Sequence, residues 1–398
     1  MPELSDVTPD TCADIADFSE NWKVQPWKEH QSRYWVQIGV TLFGMVLFIH
    51  IDNVRDITQD ERTKLKKLKS DNNLPPIVII SCIVVSADLT HDAASVFHYN
   101  DQLFTPWLLE LTKRADGTSP FGINKGRRIR LLDGATHFKS SGAAFWTSSQ
   151  HEKGPKVENC YHATAHAKDL SDSECGGLKN MADREQGILE GTGGTSVIKT
   201  PEDLYNFAQR KYHLPPSHIY EKKGRGIYRR HFFYQPATGP NSINRCVPQV
   251  KTLDGIMKLH QLVDVGKPGV IGVRAASCHR PDCPCRQQHF DKCKDLAFKG
   301  RTWEVPLTVE KEGSARLTRS HLRTQGIMMG KAAAAGSIII IELSFEAELF
   351  MVGRVKAPWY CATANEESEW MGRIKKTTSL LTWTNWQHGC QGHVSLRK

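Results

Sequence analysis

The sequence predicts an α/β domain built on a mixed sheet flanked by helices, followed by a cysteine-rich region and a small all-β domain. Three observations carry this expectation. Residues 77–86 (IVIISCIVVS) form an unbroken apolar run, the pattern of a strand buried on both faces. Residues 91–114 place Val96, Phe97, Leu103, Trp107, Leu108 and Leu111 at helical spacing. The final stretch, 337–398, breaks into short strand-like runs (SIIIIEL, LFMVGRV, LLTWTNW), which suit a small β-barrel of the SH3-like kind.

Residues 12–17 alternate weakly and read as a strand ending at Asp17. Residues 35–51 are rich in β-branched and aromatic side chains and read as two strands around Gly44. Residues 55–70 show no strong period, and Pro75-Pro76 punctuates the chain before the apolar strand. Strands then follow at 128–132, ending at Asp133-Gly134, and at 160–165, with helices at 136–148 and 172–187. This alternation of strands and helices implies the mixed sheet. The α/β domain is expected to span 1–215, ending near Pro215-Pro216. A basic, cysteine-rich region, 216–330, comes next, and a Gly/Ala-rich hinge (330–336) leads to the barrel-like domain, 331–398.

The 398 residues suffice for two or three domains with cores of their own. No run of 18 apolar residues is present, so the sequence predicts no membrane partner. The acidic start, Met1 to Asp17, has no hydrophobic signal region, and the eleven cysteines are expected as thiols or metal ligands. Charge is unevenly spread. Residues 1–209 carry a net −6, residues 210–331 a net +14, and the remainder a net +1. A basic block of this size points to a polyanion, with DNA the first candidate; a solvated basic face is the alternative.

Within that block, Lys222, Lys223, Arg225, Arg229 and Arg230 alternate with Tyr228, Phe232, Phe233 and Tyr234. Such a segment suits phosphate neutralisation and base stacking, or a β-hairpin with a basic and an aromatic face. Further along, Cys278, Cys283, Cys285 and Cys293 fall within sixteen residues in a polar setting with little to form a core. They are candidate ligands of a structural Zn²⁺, with a reduced cysteine-rich loop as the alternative. The tryptophans and Tyr360 of the last domain are read as core rather than as an aromatic cage.

Phosphoryl transfer on DNA by paired Mg²⁺ (or Mn²⁺) needs carboxylates held rigidly at one edge of a sheet. Three strand- or helix-end acids stand out. Asp17 lies in Asp17-Phe18-Ser19-Glu20-Asn21-Trp22, Asp133 in Leu132-Asp133-Gly134-Ala135-Thr136-His137-Phe138-Lys139, and Asp172 in a segment opening at His166 and followed by Gly176-Gly177. Asp88 and Asp92 form a competing pair, with Asp88 suited to cap the helix after His91.

In their order and context, these segments resemble the catalytic core of eukaryotic DNA-transposon transposases. That core reads Asp-Phe-Ala-Glu-Asn-Tyr, then Ser-Asp-Gly-x-x-x-x-Phe-Lys, then His-Gly-Lys-Gly-x-x-Asp-Gly-x-Gly-Gly. The resemblance covers about residues 12–210. It implies an RNase H-like fold in which Asp17, Asp133 and Asp172 are the catalytic, metal-binding acids. His166, Lys168 and Lys139 would contact DNA, and Asn21 and His137 would neighbour the acids. It further implies a nuclear protein of DNA transposition and recombination, a mobile element or its descendant, with a homo-oligomer as a candidate state. The first strand begins so near Met1 that the DNA-binding domain of full-length transposases is expected to be missing or to lie elsewhere. Ala167, Asp169, Ser173 and Cys175 stand where the family has glycines, and Leu132 where it has a small polar residue. The alternative is therefore a non-catalytic DNA- or chromatin-binding protein derived from a transposase. A 3′–5′ exonuclease on this fold fits less well, because Asp17 and Glu20 are not spaced as an Asp-x-Glu pair.

Overall fold

The computed structural model describes residues 7–24, 38–162, 170–186, 198–215, 218–274, 303–311, 381–384 and 393–396. The chain divides into two compact units, Met1–Arg316 and Leu317–Lys398.

The first unit is organised by a nine-stranded mixed sheet of order β10-β9-β8-β5-β4-β1-β2-β3-β6. Its middle is β1 (Thr11–Val24), β2 (Ile38–His50) and β3 (Ile77–Ser86), paired antiparallel in sequence. Two crossover strands, β4 (Arg127–Leu132) and β5 (Lys156–Tyr161), lie on the other side of β1 and run parallel to it. β2 and β3 are buried on both faces, as their continuous apolar sequences require.

Between the strands come α1 (Gln59–Asp71), α2 (Ala93–His98), a π-helical segment Tyr99–Phe104, α3 (Thr105–Leu111), α4 (Ser141–Ser148), α5 (Leu170–Glu185), α6 (Pro201–Phe207) and α7 (His218–Glu221). One face of the sheet buries Phe43, Tyr99, Phe104, Phe138 and Trp146. Across the sheet, Leu42, Ile83 and Val85 pack with Cys175 and Leu178 of α5 and Phe207 of α6.

Several elements differ from the sequence expectation. Within the segment 35–51, Ile38–His50 is one uninterrupted strand rather than two. Gly44 sits inside it, opposite Asp17, because α5 packs where its side chain would stand: a Cβ there would lie 2.9 Å from Cys175 Sγ and 3.1 Å from the Ser171 carbonyl oxygen. β1 does not end at Asp17 but runs on to Val24, with an irregular register between Ser19 and Trp22. α1 was not expected, because its buried stripe is narrow: only Leu65 and the stem of Lys69 are covered. Its start is nevertheless marked, since Thr58 accepts from Glu61 N–H at 3.3 Å and Asp60 and Glu61 occupy the first turn.

The expected boundary near 215 falls within this unit. β6 (Arg229–Gln235) pairs parallel with β3, so KKGRGIYRRHFFY supplies an edge strand rather than a hairpin. β8 (Gln261–Asp264), β9 (Val270–Arg274) and β10 (Trp303–Pro306) extend the sheet from β5. Strands from the basic segment thus cover both edges of the inner sheet, which would otherwise offer unpaired backbone groups. β7 (Gln249–Val250) and β11 (Val309–Lys311) pair separately.

Of the second unit, β12 (Leu381–Thr384) and β13 (His393–Leu396) are described, and they pair antiparallel. The rest of the expected SH3-like barrel, the 330–336 hinge and Tyr360 lie outside the described residues.

Candidate metal centre

The register of β1 against β4 builds the site. Ile15 is the partner of Leu131 in this parallel pair. Two residues further along come Asp17, still on β1, and Asp133, directly after β4, so neighbouring segments deliver two carboxylates close together. Phe18 N–H donates to Asp17 Oδ1 at 2.7 Å and Ala135 N–H to Asp133 Oδ1 at 3.0 Å. The second of these is an Asx turn. It bends the chain after β4 so that His137 comes back toward the carboxylates. One ligand atom each from Asp17, Asp133 and His137 lie within 4.8 Å of one another, and all three residues are half-buried.

The imidazole is enclosed by rings. Its centroid lies 5.1 Å from that of Phe18, nearly perpendicular, and 4.3 Å from that of Phe138. Burial holds the His137 pKa below its ordinary value, against the attraction of Asp133 and Asp92. Burial thus favours the neutral ring, the form that can ligate a cation. Phe18 also stacks on His91 at 4.4 Å, and His91 Nε2 meets Asn21 Oδ1 at 2.9 Å. Asn21 accepts in turn from Thr41 Oγ1 at 2.8 Å.

Asp172 occupies the first turn of α5. It is not one of the three residues grouped within 4.8 Å, yet α5 lies against β1 and β2 at Gly44, the cross-strand partner of Asp17. Burial raises the Cys175 thiol pKa; Lys179 opposes this, and Asp172, Glu174 and Asp17 reinforce it. Asp17 and Asp172 therefore lie in the electrostatic neighbourhood of one thiol. Two tethers fix the helix: Lys179 Nζ donates to Ser19 Oγ at 2.7 Å, and Trp22 Nε1 donates to Asp183 at 2.9 Å. Gly177 lets Tyr212 approach, since a Cβ there would lie 2.1 Å from its hydroxyl. Cys175 Sγ packs against Gly44.

The DNA-contact candidates separate. Arg230 makes a two-armed pair with Glu174 (2.6 and 3.1 Å), and its guanidinium lies 3.8 Å over the Tyr212 ring. Arg229 pairs with Asp56 at 2.9 Å. Lys139 is buried, with Nζ donating to the Met257 carbonyl at 2.8 Å. Arg230 and Lys139 are engaged within the fold and Arg229 in a surface pair, whereas Lys222, Lys223 and Arg225 are exposed after α7. His166, Lys168, Cys278, Cys283, Cys285 and Cys293 lie outside the described residues.

The competing acids also resolve. Asp92, not Asp88, caps α2, accepting from Ser95 N–H at 2.8 Å. Asp88 and Asp92 are bridged by Arg245 at 2.8 and 3.0 Å. Sequence reading named His137 only as a neighbour. The signal that could have promoted it was its place four residues after Asp133, within reach of a tight turn.

With the site in place, the comparison with known families is direct. A family model described as a domain of unknown function (DUF8701) matches residues 68–277. The chain belongs to this family. No curated protein and no solved structure matches the chain. The DUF8701 region contains Asp133, His137 and Asp172, while Asp17 lies before it on β1. Among the described residues, no helix is long and apolar enough to cross a membrane.

Proposed function

We propose that this chain is a transposase-type nuclease or strand transferase, or a host-captured descendant of one, acting on DNA phosphodiesters in the nucleus with divalent cations. The observation that carries this reading is the approach of Asp17, on β1, to Asp133, directly after the parallel neighbour β4, with Asp172 on the helix that packs against β1 and β2. The strand order supports the RNase H-like part of the reading. Three antiparallel strands are followed by two that return parallel to the first.

The donor set fits a hard or borderline cation, since carboxylates lie close together at one end of the sheet. When bound there, such an ion would supply Lewis acidity at the phosphate and a more acidic water as nucleophile. The chain's own part is positioning. Phe18 N–H and Ala135 N–H orient the two carboxylates. Lys179 and Asp183 pin α5 to β1, so that Asp172 stays on the Asp17 side of the sheet. Lys222, Lys223 and Arg225 offer exposed charge to the phosphate backbone.

The test is nicking of supercoiled plasmid with Mg²⁺ or Mn²⁺, comparing the full chain with Asp133→Asn. Nicking by the wild type alone is the expected result. Salt-sensitive DNA binding with no nicking in either protein would replace this reading with that of a non-catalytic binder.

A further inference from the structure

We propose that Asp17, Asp133 and His137 together form one cation site, and that the imidazole makes it take a first-row transition ion in preference to Mg²⁺. This rests on the same two carboxylates as the phosphodiester reading and specifies which cation they hold.

The geometry supplies the first argument. Three ligand atoms from three side chains lie within 4.8 Å of one another. Ligands about 2 Å from a shared first-row ion lie about 3 to 4 Å apart, so a small side-chain adjustment closes the set. The positions are held on one side by strand pairing and on the other by the turn after β4. Phe18 and Phe138 keep the imidazole from swinging away.

The second argument is an orphan atom. His137 Nε2 is buried and has no hydrogen-bond partner among the described residues. Buried polar atoms are normally satisfied, and this one belongs to a ring that brings a nitrogen to within 4.8 Å of two carboxylates. Asp14 is held by Arg128 and Arg130, and the close pair Asp88 and Asp92 by Arg245. Here the third member is an imidazole, which donates a lone pair rather than a charge.

The chemistry then selects the ion. Mg²⁺ demands oxygen ligands and keeps its waters. Imidazole suits later first-row ions, whose affinity for a given site rises from Mn²⁺ toward Cu²⁺. Mn²⁺ is the weakest binder of that series, so a preference for it over Mg²⁺ is the stringent case.

The experiment loads the full chain with Mn²⁺ alone and reads the bound ion by pulsed EPR. Modulation from an imidazole nitrogen is expected in the wild type. It should vanish in His137→Gln, with folding checked by the thermal midpoint. Mg²⁺ should need at least about a tenfold excess to displace half the Mn²⁺, and His137→Asp should bring that ratio toward one. Bound Mn²⁺ without nitrogen modulation, modulation persisting in folded His137→Gln, no Mn²⁺ binding, or equal competition by Mg²⁺ would each overturn the assignment. Plasmid nicking by the same preparations is an independent readout. Imidazole-bound Mn²⁺ without nicking sinks the phosphodiester reading alone, and Mg²⁺-supported nicking without nitrogen modulation sinks this one alone.

Discussion

Asp14 and Asp17 stand three residues apart on one strand and therefore face opposite sides of the sheet. Asp14 is fully buried, accepting from Arg128 Nε at 2.6 Å and from Arg130 Nε at 3.2 Å. Burial pushes its carboxyl pKa up, but the two guanidinium groups together outweigh that and hold it below the ordinary carboxylate value. Asp17 is half-buried, beside a second carboxylate and an imidazole. The first acid is matched by charge inside the fold; the second lies with another carboxylate and an imidazole, a set of electron-pair donors. The comparison teaches that an aspartate on a strand announces a site only when its neighbours are also electron-pair donors.

The sharpest way to break that contrast is Asp14→Ala. It leaves two guanidinium groups buried without their carboxylate, Arg128 and Arg130 being 3% and 0% exposed. Removing one partner of a buried pair costs about 3–5 kcal/mol, so thermal or denaturant unfolding should show a severely destabilised or unfolded chain. The same network sets an acid limit. Because the folded pKa of Asp14 lies below its unfolded value, its stabilisation is present above the ordinary carboxylate pKa. That stabilisation is lost as pH falls through the lower, folded value. Unfolding midpoints measured from pH 6 downward should therefore drop in the acid range.

A middle-sized effect is expected on the other face. Gly44→Ala places a methyl group 2.9 Å from Cys175 Sγ and 3.1 Å from a backbone oxygen of α5. Overpacking of this kind costs about 1–3 kcal/mol. Since it pushes α5 away from Asp17, nicking should fall by more than the loss of folded protein explains; a strict match between the two would show that α5 does not position the site.

The smallest change in stability, and the most telling in sign, is that of Asp133→Asn. With no cation present, Asp17 and Asp133 repel at close range. The neutral amide should leave the metal-free chain unchanged or raise its stability by up to about 1 kcal/mol, read as a higher thermal midpoint in chelator. A large loss of stability instead would mean that Asp133 is matched within the fold, as Asp14 is.

Much of the inner sheet was legible from the sequence because its strands are continuous apolar runs, as in IVIISCIVVS, and Asp133 was legible because it follows RIRLL. The helical stretch over residues 93–111 was legible from its apolar spacing, although a π-helical segment, Tyr99–Phe104, lies inside it. α1 was not, because its two covered positions carry too little apolar signal. The pairing of Arg229 with Asp56 and of Arg230 with Glu174 was not legible, because charge in sequence does not reveal a carboxylate brought close by another part of the chain.

The sequence by itself determined the α/β class, the three acids worth weighing and the basic character of residues 210–331, since each is written in local composition or period. Only the tertiary structure decided that strands from that basic segment complete the sheet at both edges. It alone tied up Asp14, Asp88, Asp92, Arg229 and Arg230 in pairs, and brought His137 to Asp17 and Asp133. The physical reason is range: periodicity and turn chemistry act over a few residues, whereas electrostatic pairing and metal ligation depend on distances that strand register sets across more than a hundred residues.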